Sequence, residues 1–428
     1  MLTSLVAAWK LPDLRKRILF VFGMFAIYVV GLHIMVPGVD RVRLAQMLER
    51  GGLLNLVDAF TGGALRTYSI FAMGIMPYIN ASIIMSLLTI AIPALEELHK
   101  EGGELGRKKI SQYTRYLTVV LALFQAFGTN IWLQNAGALG ATHFGFLRIM
   151  LTLTAGTAFL MWMGEQITDK GVGNGVSLVI FCGITVRMPY YLNETWKAYR
   201  GGAIEPANLL LFAFIFLASI TFIVLFQQAE RKIPVQYAKR VVGTKMYGGQ
   251  STYLPIKVNT AGVIPIIFAI SILYFPATIL GFINPSAKSK LLIESIMRFF
   301  SPGESPWASL LYAGLIIFFT YFYTAVVWNP IDVADNIKKW GGFIPGIRPG
   351  KPTAEYLYRI LVRVTLAGAI FLAIVALLQY WVPEWTHIHT WGSIVGGTSL
   401  LIVVGVALET MQQIEAHLLL RRYEGFIK

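Results

Sequence analysis

Unbroken apolar runs of about twenty residues recur along the chain, and polar residues gather between them. Crossing a bilayer as a helix takes roughly 20 mostly apolar residues. Read against Pro, Gly and charge, the runs predict ten spans. They lie near 18–36, 72–92, 113–133, 149–168, 175–191, 208–227, 261–282, 308–328, 361–381 and 393–411. Such runs do not alternate as the ten-residue strands of a membrane barrel do. The pattern predicts an all-α, polytopic membrane protein. The first run, Ile18 to Val36, ends in "MVPG" with no small-residue cleavage site, so no cleavable leader is expected.

One stretch breaks the pattern. In "NLVDAFTGGALRTYSIFAMGIMPYINASIIMSLLTIAIP", Asn55 to Pro93, the second half reads as a span. The first half carries Asp58, the Gly62-Gly63 pair and Arg66, and is too short and too polar to cross. A half-helix wedged against a full one is expected there.

Composition agrees with the membrane reading. Of 428 residues, 56% are hydrophobic and 14% charged, where a soluble domain carries about 25% charged. The one cysteine, Cys182, lies inside an apolar run and reads as an inert buried thiol. The six histidines form no ligand grouping beyond His387-x-His389 in a short loop. No metal site and no cofactor are expected.

Charge sets orientation. Ten spans put both termini on one face, and that face takes most of the 36 basic residues. By the positive-inside rule it is cytoplasmic. The net charge of +14 is then a matter of topology, and requires no nucleic-acid partner. Two loops on that face, about 228–260 and 329–359, are longer than orientation needs. They mix basic residues with Tyr, Trp and Gly. Either they dock something anionic or bulky, or they are slack loops carrying positive-inside charge.

Two short patterns recur five spans apart. "GIMPYI" (Gly74 to Ile79) in the second span matches "GVIPII" (Gly262 to Ile267) in the seventh; "GVSLVI" (Gly175 to Ile180) in the fifth matches "GTSLLI" (Gly397 to Ile402) in the tenth. Five is odd, so the second half would lie inverted on the first, with function at the interface between halves. The halves are residues 1–200 and 201–428. Pro77 and Pro265 are expected to bend their helices.

These four spans offer stiff aliphatic side chains. Ile75 and Ile79 share a helix face, as do Val176 and Ile180, and Ile267 and Ser271, while Ile402 matches Ile180 in the repeat. None can hold an ion or a proton. Glu165, Asp169, Glu230 and Glu409 sit at span ends, and no acid occupies a span's middle, which argues against an ion-coupled secondary transporter. No nucleophile–base pair or acid pair favours an intramembrane enzyme. "PGIRPGKPT" is not a phosphate-binding loop, because Pro345 and Pro352 stand where glycine and a hydroxyl are required. Periodicity alone leaves two readings open: an aliphatic seal around a pore, or ordinary helix packing.

Over essentially its full length the chain resembles the SecY family, the protein-conducting channels of the bacterial Sec translocon. The resemblance rests on "FTGGALR", "GIMPYINASII", "GEQITDKGVGNGVSL", "YAKRVVG", "QSTYLPIKVN", "AGVIPIIF" with "FPATI", "PGIRPG" and "GGTSLLIVV", in the family's order. It implies a gated passive pore for unfolded secretory proteins, with lateral release of membrane segments into the bilayer. It implies a re-entrant plug helix over about 53–66, including Asp58, Phe60, Gly62, Gly63 and Arg66. It places a pore ring on Ile75, Ile79, Val176, Ile180, Ile267 and Ile402, and a lateral gate at Asn80, Asn259 and Phe275. Lys239, Arg240 and Arg348 become contacts for cytoplasmic partners. The implied partners are the motor ATPase SecA, a translating ribosome, and the membrane subunits SecE and SecG. The implied location is the bacterial cytoplasmic (inner) membrane.

Overall fold

The computed structural model describes residues 2–40, 44, 62–100, 102–135, 143–237, 240–242, 245–247, 251–281, 299, 302, 305–388 and 397–426. Each of the ten expected spans coincides with a helix. A short α1 (Leu2–Lys10) precedes α2 (Pro12–His33). A single turn, α3 (Ala64–Thr67), leads into α4 (Met76–Ala91), and α5 (Pro93–Lys100) follows. Next come α6 (Gly103–Asn135), α7 (His143–Lys170), α8 (Gly175–Arg200) and α9 (Pro206–Gln228). The second half holds α10 (Ile264–Gly281), α11 (Pro306–Val327), α12 (Pro330–Lys339), α13 (Lys351–Thr386) and α14 (Gly397–Phe426).

Among the described residues, seven helices are long and apolar enough to cross a membrane. The shorter α4 is also apolar. Its 16 residues rise roughly 24 Å at 1.5 Å each, less than the roughly 30 Å hydrocarbon core. The turns before it, residues 71–75, supply the rest and are fully buried. Irregular backbone at such depth is tolerated where protein encloses it. Helix α9 is apolar all round and leaves Leu210, Phe214, Leu217 and Leu225 on its outer face, as suits a helix bordered by lipid.

Pro77 and Pro265 do not bend their helices. Each is the second residue of its helix, α4 or α10, where the missing N–H has no intrahelical acceptor to lose. The chain breaks just before them. Gly74 and Gly262 both adopt a left-handed conformation, with φ of +57° and +63°. The shared Gly-x-x-Pro pattern thus starts a helix in both places. Prolines do stand inside helices elsewhere: Pro189 in α8, Pro276 in α10 and Pro383 in α13.

The other recurring glycine marks close approach. Gly175 opens α8 against the carbonyl of Gly164 on α7, and Gly397 opens α14 against the carbonyl of Val375 on α13. In both cases a Cβ would fall inside contact distance of that oxygen. Each glycine lets a helix start flush against the span before it.

The two long loops are folded, which removes the reading of them as slack. Strand β1 (Glu230–Tyr237) pairs antiparallel with β4 (Ser251–Lys257) and with β5 (Gly342–Phe343), in the order β4-β1-β5. Between β1 and β4 lies a second pair, β2 (Arg240–Val242) with β3 (Lys245–Tyr247). The signal is a period-2 alternation that charge obscures: in "ERKIPVQY" only Ile233 and Val235 turn inward. They join Ile256, Ile337, Ile344 and Leu357 in a small core of their own. Both loops therefore form one platform seated on α12 and the start of α13.

Gly175→Val and Gly397→Val should each destabilise the protein by about 1–3 kcal/mol, the usual cost of overpacking, read as a lower thermal midpoint in detergent. Gly314→Ala, where a Cβ meets nothing within 4 Å, should leave that midpoint unchanged or raise it.

Candidate functional site: a central apolar narrowing

Four helices converge on one small cavity. Ile75, Met76 and Ile79 approach from the start of α4, Ile180 from α8, Ile267 and Ile270 from α10, and Ile402 from α14. Ile75, Ile270 and Ile402 are buried and Ile79, Ile180 and Ile267 partly buried. The cavity volume is about 20 Å³. A water needs at least about 10–15 Å³ and two to four polar partners. The volume admits one water, yet no lining side chain offers it a strong hydrogen bond. A constriction of this kind blocks ions by staying dry.

Five of the six residues expected in a ring meet here. Val176 does not line the cavity: it lies one turn before Ile180 and packs toward α7, where a Cβ on Gly164 would stand 3.4 Å from its Cγ2. Met76 and Ile270 take part without having been singled out. Ile270 lies three residues after Ile267, on the same helix face. That spacing was visible in the sequence.

Beyond the narrowing, Gly62 and Gly63 approach α8. Both are left-handed, with φ of +69° and +80°. A Cβ on Gly62 would stand 2.8 Å from the carbonyl oxygen of Gly183, and one on Gly63 would collide with the guanidinium of Arg187. Arg187 donates from Nε to the Gly62 carbonyl and from Nη2 to the Gly63 carbonyl, both at 3.0 Å. Arg66, at the end of α3, is partly buried and has interaction partners of its own. Asp58 and Phe60 lie outside the described residues. Sequence reasoning passed over Arg187, although a charge within the fifth apolar run was the available signal.

The chain that follows is firmly anchored. Val36 N–H donates to the Tyr68 carbonyl at 3.0 Å and Ile70 N–H to the Ile34 carbonyl at 2.9 Å. Phe71 stacks between Tyr28 and Phe159, with ring centroids 5.6 and 6.0 Å away. It also fills the space left by the absent side chain of Gly31. Thr157 Oγ1 donates to the Gly74 carbonyl at 3.3 Å.

Of the expected gate residues, Asn80 is partly buried on α4 and hydrogen-bonded or otherwise engaged. Asn259 is buried just before α10, and neither polar atom of its side chain has a partner among the described residues. Phe275 lies on α10, with its side chain outside the described set. On the platform, Arg348 sits on a tight turn. There Ile347 N–H donates to the Ile344 carbonyl at 3.0 Å, and Thr353 Oγ1 to the Arg348 carbonyl at 2.9 Å. Arg240 lies on β2 opposite Tyr247; its side chain, and Lys239 entirely, lie outside the described residues. Glu165, at the end of its span, pairs with Arg115 at 2.7 Å.

Comparison with known proteins gives concordant results. Residues 69–411 match the family model described as SecY. The chain is 46% identical to a Streptomyces griseus protein named protein translocase subunit SecY, with 100% of each chain covered. Its fold resembles a solved protein-conducting channel at a TM-score of 0.66 and 18% identity, covering 94% of this chain and 92% of that one. It also resembles Sec61 from a canine ribosome–channel complex, at a TM-score of 0.62 and 15% identity with the same coverage.

Proposed function

The chain belongs to the SecY family, and on that premise we propose that its apolar narrowing is the pore through which unfolded polypeptide crosses the membrane. The chain is the channel subunit of a protein translocase, and conducts substrate through a passive, gated path. The observation that carries the reading is the meeting of Ile75, Ile79, Ile180, Ile267 and Ile402 around one small space with an apolar lining. These residues form the seal, and Met76 and Ile270 complete it.

The chemistry suits a varied substrate. A translocating chain is extended and presents every side-chain type in turn. Aliphatic walls close around it without binding it, whereas a charged wall would trap segments of opposite sign. The segment over about 53–66 is the plug that covers the seal in the closed state. The halves 1–200 and 201–428 meet at the pore, and α4 and α10 part sideways at Asn80, Asn259 and Phe275. Each centrally placed Leu, Ile, Phe or Val that leaves through this gate gains roughly 0.3–0.6 kcal/mol in lipid. Summed over a signal's apolar core, this favours exit without a chemical step.

Energy comes from partners. The platform formed by β1, β4, β5 and α12 faces the cytoplasm in the orientation that charge dictates. It receives SecA or a translating ribosome, with Lys239, Arg240 and Arg348 as contacts. A ribosome–channel complex among the structures of similar fold supports the second of these. SecE and SecG assemble with the chain in the bacterial cytoplasmic (inner) membrane, and both termini lie in the cytoplasm.

The deciding assay is reconstitution of the channel complex in vesicles. Uptake of an unfolded, signal-bearing protein should require the cytosolic motor and ATP; ion-driven uptake of a small solute without the motor would refute the channel reading. Ile79→Asn or Ile402→Asn should wet the constriction, raising resting ion leak several-fold and relaxing signal stringency. Unchanged leak and stringency in both variants would remove them from the seal. Arg348→Glu should stop motor-driven export while the complex still assembles in the membrane; export at the parental rate would remove Arg348 from the docking surface.

A further inference from the structure

Arg187 is a cation inside a membrane-spanning helix, seven residues and roughly 10 Å along α8 from Ile180. Charges at such depth are costly and mark functional contacts. Its guanidinium donates to two successive carbonyls, those of Gly62 and Gly63. We propose that Arg187 is the latch of the gate, a positioning residue that holds the base of the plug against α8 in the closed channel. This rests on the reading of residues 53–66 as the plug.

Three observations converge on that role. The fork of Nε and Nη2 matches two adjacent acceptors, a geometry an ammonium cannot reproduce. The acceptors reach it only because both residues are left-handed glycines. A side chain on Gly63 would occupy the guanidinium's position, and one on Gly62 would press on Gly183. Finally, the hold falls at a mechanical boundary. From Tyr68 onward the chain is tied to α2 and α7 by backbone bonds and by the Phe71 stack. Gly62 and Gly63 stand at the edge of this tied stem, and that is where Arg187 grips.

The latch is also releasable. Arg187 is only partly buried and leans on the ring of Tyr190, 5.6 Å from its centroid. Letting go exchanges two carbonyls for water, which a partly exposed guanidinium can reach.

The test is resting ion conductance of the assembled channel complex in planar bilayers. The variants are Arg187→Ala, Arg187→Lys, deletion of residues 53–63, which removes both acceptors of Arg187, and the deletion combined with Arg187→Ala. Loss of one charge-assisted hydrogen bond corresponds to about a tenfold shift in a closed–open ratio. Arg187→Ala should therefore raise leak by about tenfold or more, and Arg187→Lys by less. In the plug-deleted channel Arg187→Ala should add nothing, since its target is gone. Leak within twofold of the parent in Arg187→Ala, while the deletion alone leaks, overturns the latch and leaves the plug reading intact. A further rise in leak when Arg187→Ala is added to the plug-deleted channel also overturns the latch, because the arginine would then be acting on something other than the plug. A deletion that leaves leak unchanged overturns the plug reading and the latch with it. Should Arg187→Ala fail to co-purify as a complex, Arg187→Lys and Arg187→Gln carry the same comparison, and parental leak in both overturns the latch.

Discussion

Everything in this molecule answers to one constraint: a path wide enough for a polypeptide must be shut to ions without any group that would hold the polypeptide. In the proposed pore, converging isoleucines meet it. Their branched side chains are stiff at χ1, carry no dipole strong enough to recruit water, and come from four different helices. The small cavity they enclose is what near-complete contact leaves over. An ionisable side chain at the same place would bring water and a preference for one class of substrate.

Glycine supplies the closeness that such contact requires. Gly175 and Gly397 let α8 and α14 begin directly against the preceding spans, which places Ile180 and Ile402 a little over one turn inside their helices. Gly74 and Gly262 turn the chain so that Pro77 and Pro265 can start helices that aim Ile79 and Ile267 inward. The aliphatic narrowing and the glycine joints around it are therefore one design. Both patterns recur five spans apart with the same local geometry, a left-handed glycine ahead of a proline in one span and a glycine at a flush helix start in the other.

The helical architecture was legible because hydrophobic length is an unambiguous signal in a bilayer protein, and all ten apolar runs became helices. The residues of the narrowing were legible in part. Four-residue spacing in the repeated motifs singled out five of them, along with Val176, which does not line it, and Ser271, whose side chain lies outside the described residues. Spacing alone did not separate a seal from helix packing. Val176 occupies the flush start of α8 and packs toward Gly164 of α7, and Ile180 reaches the cavity a turn further on. Features set by neighbours distant in sequence were not legible. The β1 strand is masked because it opens on three charged residues, Glu230 to Lys232, and carries Pro234 between Ile233 and Val235, and its second edge comes from residues roughly a hundred positions later. The effect of a proline depends on where its helix begins, which a left-handed glycine decides at both Pro77 and Pro265. The acceptors of Arg187 are backbone carbonyls, and these leave no mark in a sequence.

The most direct test is photo-crosslinking from a secretory chain stalled across the reconstituted channel, with the probe placed at successive positions in the chain. Adducts should concentrate on Ile79, Ile180, Ile267 and Ile402 as the probe passes the membrane's centre, whatever the flanking sequence. Adducts falling instead on the outer face of α9, at Leu210, Phe214 or Leu225, with the isoleucines unlabelled, would contradict a path through the narrowing.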